Sequence, residues 1–163
     1  MEDEQDQSND MEVIKNYING AYQEPTKGHY LDNIEPGSGK VFAQIPNSSQ
    51  EDLELAVDAA KEAFPIWSLM SADKRSRILH KLADLIEENL DDLAAMESKD
   101  NGKPLWLAKA VDIPRASANF RFYASAIVNF STEAQVSEGF MVNYTRRASI
   151  GIVGCISPWN LPL

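Results

Sequence analysis

The chain has 163 residues, 44% hydrophobic and 25% charged, which is enough apolar material for the core of a soluble domain. Its formal net charge of −10 repels nucleic-acid phosphates and anionic lipid, and no apolar run approaches the ~18 residues that a membrane span needs. The single cysteine, Cys155, can close no internal disulfide, and the polar start resembles neither a signal peptide nor an Arg-rich transit peptide, so the expected compartment is the cytoplasm.

Residues 1–12 carry Glu2, Asp3, Glu4, Asp6 and Asp10 with little to bury, and read as a disordered acidic tail. Residues 13–22 read as short strands around Asn19-Gly20, a pair suited to a tight hairpin turn because both positions tolerate positive φ. Two further apolar runs, 30–34 and 41–45, flank the turn signal Pro36-Gly37-Ser38-Gly39.

Helical patterns follow. Ser48-Ser49-Gln50-Glu51 matches a capping box, and Leu53, Ala56, Val57, Ala60, Ala63 and Phe64 then recur at helical spacing until Pro65, which is expected to stop the run. Ser71 with Asp73 opens a second helix, with an apolar stripe of Ile78, Leu79, Leu82, Leu85 and Ile86. A third covers 90–99 and ends at Asn101-Gly102. Pro104 suits the first turn of a fourth, which runs toward Val128 with a kink or break near Ile113 caused by Pro114.

From Ser131 the pattern returns to β. Glu138-Gly139 can turn the chain, and 141–147 alternates as a half-exposed strand does. Residues 150–156 are nearly all apolar or Gly, the pattern of a strand buried on both faces of a parallel sheet. Ser157-Pro158-Trp159-Asn160 then forms a sharp turn at that strand's carboxyl end, where ligands of α/β folds bind. Asn160 carries two N–H donors of the kind that a developing oxyanion needs, and Trp159 offers a flat face. The same residues also suit a plain structural turn, since Pro-x-Asn turns are common and a Trp often only packs.

The run from Gly151 through Ile156, Ser157, Pro158, Trp159, Asn160, Leu161 and Pro162 to Leu163 resembles the strand-and-turn segment of aldehyde dehydrogenases. Four further motifs resemble that family in the same order: Tyr17-Ile18-Asn19-Gly20, Glu35-Pro36-Gly37-Ser38-Gly39, the helix from Ala56 to Phe64 with Trp67, and Asp100-Asn101-Gly102-Lys103-Pro104. Asp112-Ile113-Pro114-Arg115, the stretch from Asn119 to Ala124, and Leu161 resemble the branch that oxidises 2-aminomuconic or 2-hydroxymuconic semialdehyde.

The resemblance implies an incomplete α/β fold: small β hairpins, helices, the start of a bridging β domain and the first Rossmann-type strand. Residues 13–130 would belong to the NAD-binding domain, 131–148 to the hairpin of the oligomerisation domain, and 149–163 to the first strand and turn of a truncated Rossmann-like core. It implies oxidation of an aldehyde to a carboxylic acid by a Cys thiolate, with hydride passing to NAD or NADP and a Glu-activated water releasing the acid. Asn160 would donate to the oxyanion, and Ile156, Ser157, Pro158 and Trp159 would lie against the cofactor.

The family's nucleophilic Cys, its general-base Glu and its phosphate-binding turn would all lie C-terminal to Leu163. The chain alone is therefore expected to be inactive and not to bind the cofactor. The parent is expected to be a homo-oligomer with an aldehyde substrate and no nucleic-acid or membrane partner. The alternative is a short non-catalytic protein that docks onto full-length subunits through residues 131–148. Cys155 is expected to be a small buried hydrophobe rather than the nucleophile. His29 and His80 read as solvated, Arg146-Arg147 as a solvated or interface pair rather than a phosphate clamp, the run Glu87, Glu88, Asp91 and Asp92 as an exposed helix face, and no metal site is expected.

Overall fold

The computed structural model describes residues 11–139 and 141–163. Of the acidic tail expected over residues 1–12, residues 1–10 lie outside the described residues, and Glu12 begins the first strand. The chain divides into two compact units, one ending at Ala59 and the other starting at Ala60.

The first unit is built from hairpins. Strands β2 (Asn16–Ile18) and β3 (Ala21–Gln23) pair antiparallel across Asn19 and Gly20, whose φ values of 53° and 76° are those the Asn-Gly pair was expected to supply. Tyr17 and Tyr22 face each other across the ladder, ring edge to ring face, with centroids 5.2 Å apart. Strands β4 (Tyr30–Glu35) and β5 (Lys40–Pro46) form the second hairpin, with a bulge between Asn33 and Ile34. Strand β1 (Glu12–Val13) adds to β5 in parallel, a pairing that the hydrophobic pattern did not disclose.

Helix α1 (Gln50–Ser68) differs from expectation at both ends. Its cap is displaced by one residue: Asp52 Oδ2 accepts from the Ser49 N–H at 2.7 Å and from its hydroxyl at 3.0 Å. Asp52 Oδ1 accepts from the Thr26 N–H at 2.8 Å and its hydroxyl at 2.7 Å. These donors, led by the Thr26 hydroxyl, hold the Asp52 carboxyl far below the ordinary aspartate range. Pro65 does not end the helix, which continues to Ser68. A proline removes one hydrogen bond from the ladder, and the residues beyond it still close theirs.

The second unit is helical at its centre. Ser71 caps α2 (Ala72–Glu88) by accepting from the Lys74 N–H, as the sequence implied. Helix α3 (Leu90–Asn101) ends at Gly102 with φ 77°. The run after Pro104 is broken into three: a short α4 (Leu105–Leu107) with Pro104 at its N-cap, a π turn over Ala108–Asp112, and α5 (Ile113–Asn129). Pro104 thus stands just before the helix rather than in its first turn. The π turn meets Pro114, whose ring clashes with a regular preceding turn and which has no N–H to give.

Helices α2 and α5 pack through Ser76, Ala83 and Ile86 on one side and Ile113, Ala116, Ser117 and Ala124 on the other, all buried. Ile86, Ala94, Ala108 and Ile113 form the core, with Leu90, Leu93 and Phe120 against it. The apolar stripe expected on α2 splits: Ile86 is buried, whereas Ile78, Leu82 and Leu85 are exposed. Small side chains allow the close approach of α2 and α5, and Ser117 is fully buried because its hydroxyl lies 2.6 Å from Glu87 Oε1 and 3.2 Å from the Ala83 carbonyl. Glu87 also takes a two-pronged hydrogen bond from Arg121, and Asp91 pairs with Lys109, so part of the acidic run is paired rather than simply solvated. The antiparallel pair β6 (Ala134–Ser137) and β7 (Met141–Tyr144) turns at Glu138 and Gly139 as expected, though β7 stops at Tyr144. Arg147 places its guanidinium over the Phe130 ring.

Candidate functional site

From 145 to 158 the chain has no regular secondary structure. The strand expected over 150–156 is not formed, and its burial is not realised: Ile150 is 91% exposed and Ile156 wholly so. A parallel strand sends its N–H and C=O groups to its neighbours, and among the described residues no strand lies beside this run. Cys155 shares the outcome. It is exposed, not the buried hydrophobe expected, because the sheet faces that would cover it are not assembled.

The turn that follows does have a fixed seat. The Leu161 N–H points to the Pro158 carbonyl at 3.4 Å. The Trp159 indole N–H donates to Asp100 Oδ2 at 3.1 Å, and Lys103 Nζ donates to the main-chain carbonyl of Asn160 at 2.9 Å. The turn therefore sits against the C-terminal end of α3 and the loop after it.

Lys103 owes its position to local chemistry. Gly102, in the left-handed region, reverses the chain after α3. The Lys103 N–H then donates to Asn101 Oδ1 at 2.9 Å, and its carbonyl accepts from the Ser98 hydroxyl at 2.6 Å. Its ammonium is 2.8 Å from Glu97 Oε1 and 2.6 Å from Asp112 Oδ2, and both carboxylate side chains are at most 9% exposed. Burial opposes the lysine charge, but the close Asp112 and Glu97 carboxylates outweigh it and raise the Lys103 pKa. The ammonium donates hydrogen bonds to Glu97 and to the Asn160 carbonyl, whereas Asp112 Oδ2 meets it as an ion pair outside hydrogen-bond geometry.

All five residues singled out from the sequence lie together on this exposed segment. Ile156, Pro158 and Trp159 are all exposed. The Asn160 side-chain amide makes no hydrogen bond among the described residues, so its donors are available. Sequence reasoning noted the motif from Asp100 to Pro104 but gave no role to Lys103. The carboxylate partners of Lys103 lie six residues before and nine after it, and Asn160 lies 57 residues on, spacings with no local periodic signal. Among the described residues no group of three or more His, Cys, Asp or Glu side chains could hold a metal, and no helix is long and apolar enough to cross a membrane.

Comparison with known proteins agrees with this architecture. The aldehyde dehydrogenase family model matches residues 22–163. The chain is 47% identical to the 2-aminomuconic semialdehyde dehydrogenase of Bos taurus over 152 residues, which is 93% of this chain and 31% of that protein. Among solved structures, a mutant of the aldehyde dehydrogenase from Bacillus cereus superposes with a TM-score of 0.88 at 37% identity, covering 93% of this chain and 31% of the other. PnpE in complex with nicotinamide adenine dinucleotide superposes with a TM-score of 0.77 at 34% identity, over 80% and 27% of the respective chains. The chain thus spans about a third of the length of the curated relatives it matches.

Proposed function

The chain belongs to the aldehyde dehydrogenase family, and we propose that it forms the N-terminal portion of an enzyme that oxidises an aldehyde, a muconic-type semialdehyde, to the carboxylic acid with NAD or NADP. The observation that carries this reading is the exposed turn 156–160, bearing the family's Pro-Trp-Asn motif and seated on α3 through Lys103 and Asp100. The cofactor, when bound, accepts the hydride. This chain's part is to supply surfaces and one donor. Ile156, Ser157, Pro158 and Trp159 form a wall for the cofactor, and Asn160 directs a side-chain N–H at the oxygen that gains charge when a thiolate attacks the carbonyl. Loss of one such donor costs roughly 10²–10³ in rate.

The thiol nucleophile and the general base come from outside these residues. Cys155 stands five residues before Asn160 on the same exposed segment and is not the nucleophile. The 163-residue chain on its own is therefore inactive and does not retain the cofactor. In the assembled enzyme, residues 131–148 bridge identical subunits in the cytoplasm. The exposed side chains of Val136, Met141, Val142 and Tyr144 support such an interface. They equally support a second reading, a short chain that docks onto full-length subunits without catalysing anything.

The test starts with the nucleotides after the codon for Leu163. An open frame encoding a Cys nucleophile and a Glu, whose product reduces NAD or NADP with a semialdehyde and loses that activity on Asn160→Ala, bears the first reading out. An immediate stop codon, with the short chain co-purifying with an aldehyde dehydrogenase, replaces it with the second.

A further inference from the structure

We propose that Lys103 is a positioning residue for the oxyanion site: its ammonium, fixed between the buried carboxylates of Glu97 and Asp112, holds the Asn160 main-chain carbonyl and so sets where the Asn160 side chain points. The inference rests on the reading of Asn160 as the oxyanion donor.

Four observations carry it. Lys103 is anchored at both ends, since its main chain is bonded to Asn101 and Ser98 and its side chain to two carboxylates that are themselves nearly inaccessible. A lysine kept only for solubility would extend into water; this one is 15% exposed. Two carboxylates and one ammonium leave a net negative group; one N–H goes to Glu97, and the Asn160 carbonyl takes another at 2.9 Å. The segment before the turn is neither helix nor strand, so side-chain bonds to Lys103 and Asp100 help fix the turn. Fixing a carbonyl fixes its own peptide plane and narrows the arc open to the adjoining side chain. A donor placed within a fraction of an ångström of its target is what oxyanion stabilisation requires.

The ion triad has a further consequence. Substituting Lys103 alone leaves Glu97 and Asp112 buried, facing each other and unpaired, which is strongly destabilising. The test therefore pairs Lys103→Met with Lys103→Arg and with the triple change Lys103→Met/Glu97→Gln/Asp112→Asn, which removes the charges together.

In the 163-residue chain, labelling the Asn carbonyl with ¹³C and the Leu nitrogen with ¹⁵N reports only the Asn89-Leu90 and Asn160-Leu161 peptide bonds, because no other Asn precedes a Leu. The expected result is that the Asn160-Leu161 signal moves in the Lys103→Met or the triple variant while Asn89-Leu90, which monitors folding, stays in place. If Lys103→Met loses the Asn89-Leu90 signal, the triple variant is the one read. An Asn160-Leu161 signal that stays fixed in the folded variant overturns the contact.

In the complete dehydrogenase, the same variants should lower kcat by roughly 10- to 100-fold with little change in KM, and Lys103→Arg should recover part of the loss. Asn160→Ala separates the two ideas. If it leaves kcat unchanged, the reading of Asn160 is what fails. If it lowers kcat while the folded Lys103 variants do not, the positioning role fails alone.

Discussion

Two apolar stretches of the second unit have opposite fates. In α5 the apolar and small residues Ile113, Ala116 and Ala124 are buried against α2. In 150–156 the still more hydrophobic Ile150, Ile152, Val153 and Ile156 are exposed. Hydrophobicity does not separate them; the destination of the backbone hydrogen bonds does. A helix closes its N–H···O=C bonds within itself and needs only one face covered. A parallel strand closes none within itself and needs neighbours on both edges to close them all, so its apolar character is a requirement for partners rather than a structure of its own.

The comparison predicts a steep difference in mutational cost. Ile113 is 1% exposed at the centre of the cluster with Ile86, Ala94 and Ala108. Ile113→Ala should destabilise the chain by about 2–5 kcal/mol, read as a lower urea midpoint with an unchanged slope. A cost below ~1 kcal/mol would mean that α5 does not pack on α2 and α3 as described.

A smaller effect sharpens the helical side of the contrast through pH. The hydrogen bonds from Arg121 and then Ser117 hold the Glu87 carboxyl below the ordinary glutamate value of 4.5. A depressed carboxyl stabilises the fold above 4.5, and that contribution disappears as pH falls through the lowered folded value. Glu87→Gln should therefore be less stable than the parent near neutrality, and the gap should narrow steadily once pH drops below 4.5. A gap that is flat with pH would show that Arg121 and Ser117 do not engage the carboxylate.

What was legible in the sequence follows the same division. Asn19-Gly20 marked a hairpin because positive φ is a property of those two residues, and Gly102 marked the end of α3 for the same reason. Ser71 was legible as a cap because its acceptor reaches only a few residues along the chain. Pro114 announced an irregularity, and the π turn supplies it. Distant partners left no trace: β1 pairs with β5 across some thirty residues, and Asp52 joins α1 to Thr26 rather than completing the Ser48 box. At the candidate site, the motif from Ile156 to Asn160 was readable through family resemblance, whereas the lysine that seats it was not. Lys103 matters through Glu97, Asp112 and Asn160, and only folding brings those four together.

The smallest expected effect lies in the other member of the comparison. Ile150 is 91% exposed, so Ile150→Ser removes no buried area in this chain and should change its stability by no more than about 0.5 kcal/mol. The same substitution should become costly, by about 1.5–3 kcal/mol, wherever strands assemble on both sides of 150–156 and take this side chain out of water. Measuring it in the short chain and in a longer product of the same reading frame turns the contrast between helix and strand into a single number. Equal and negligible costs in both would mean that 150–156 never enters a sheet. A large cost already present in the 163-residue chain would mean that the segment is covered there, and the difference drawn between the two stretches would collapse.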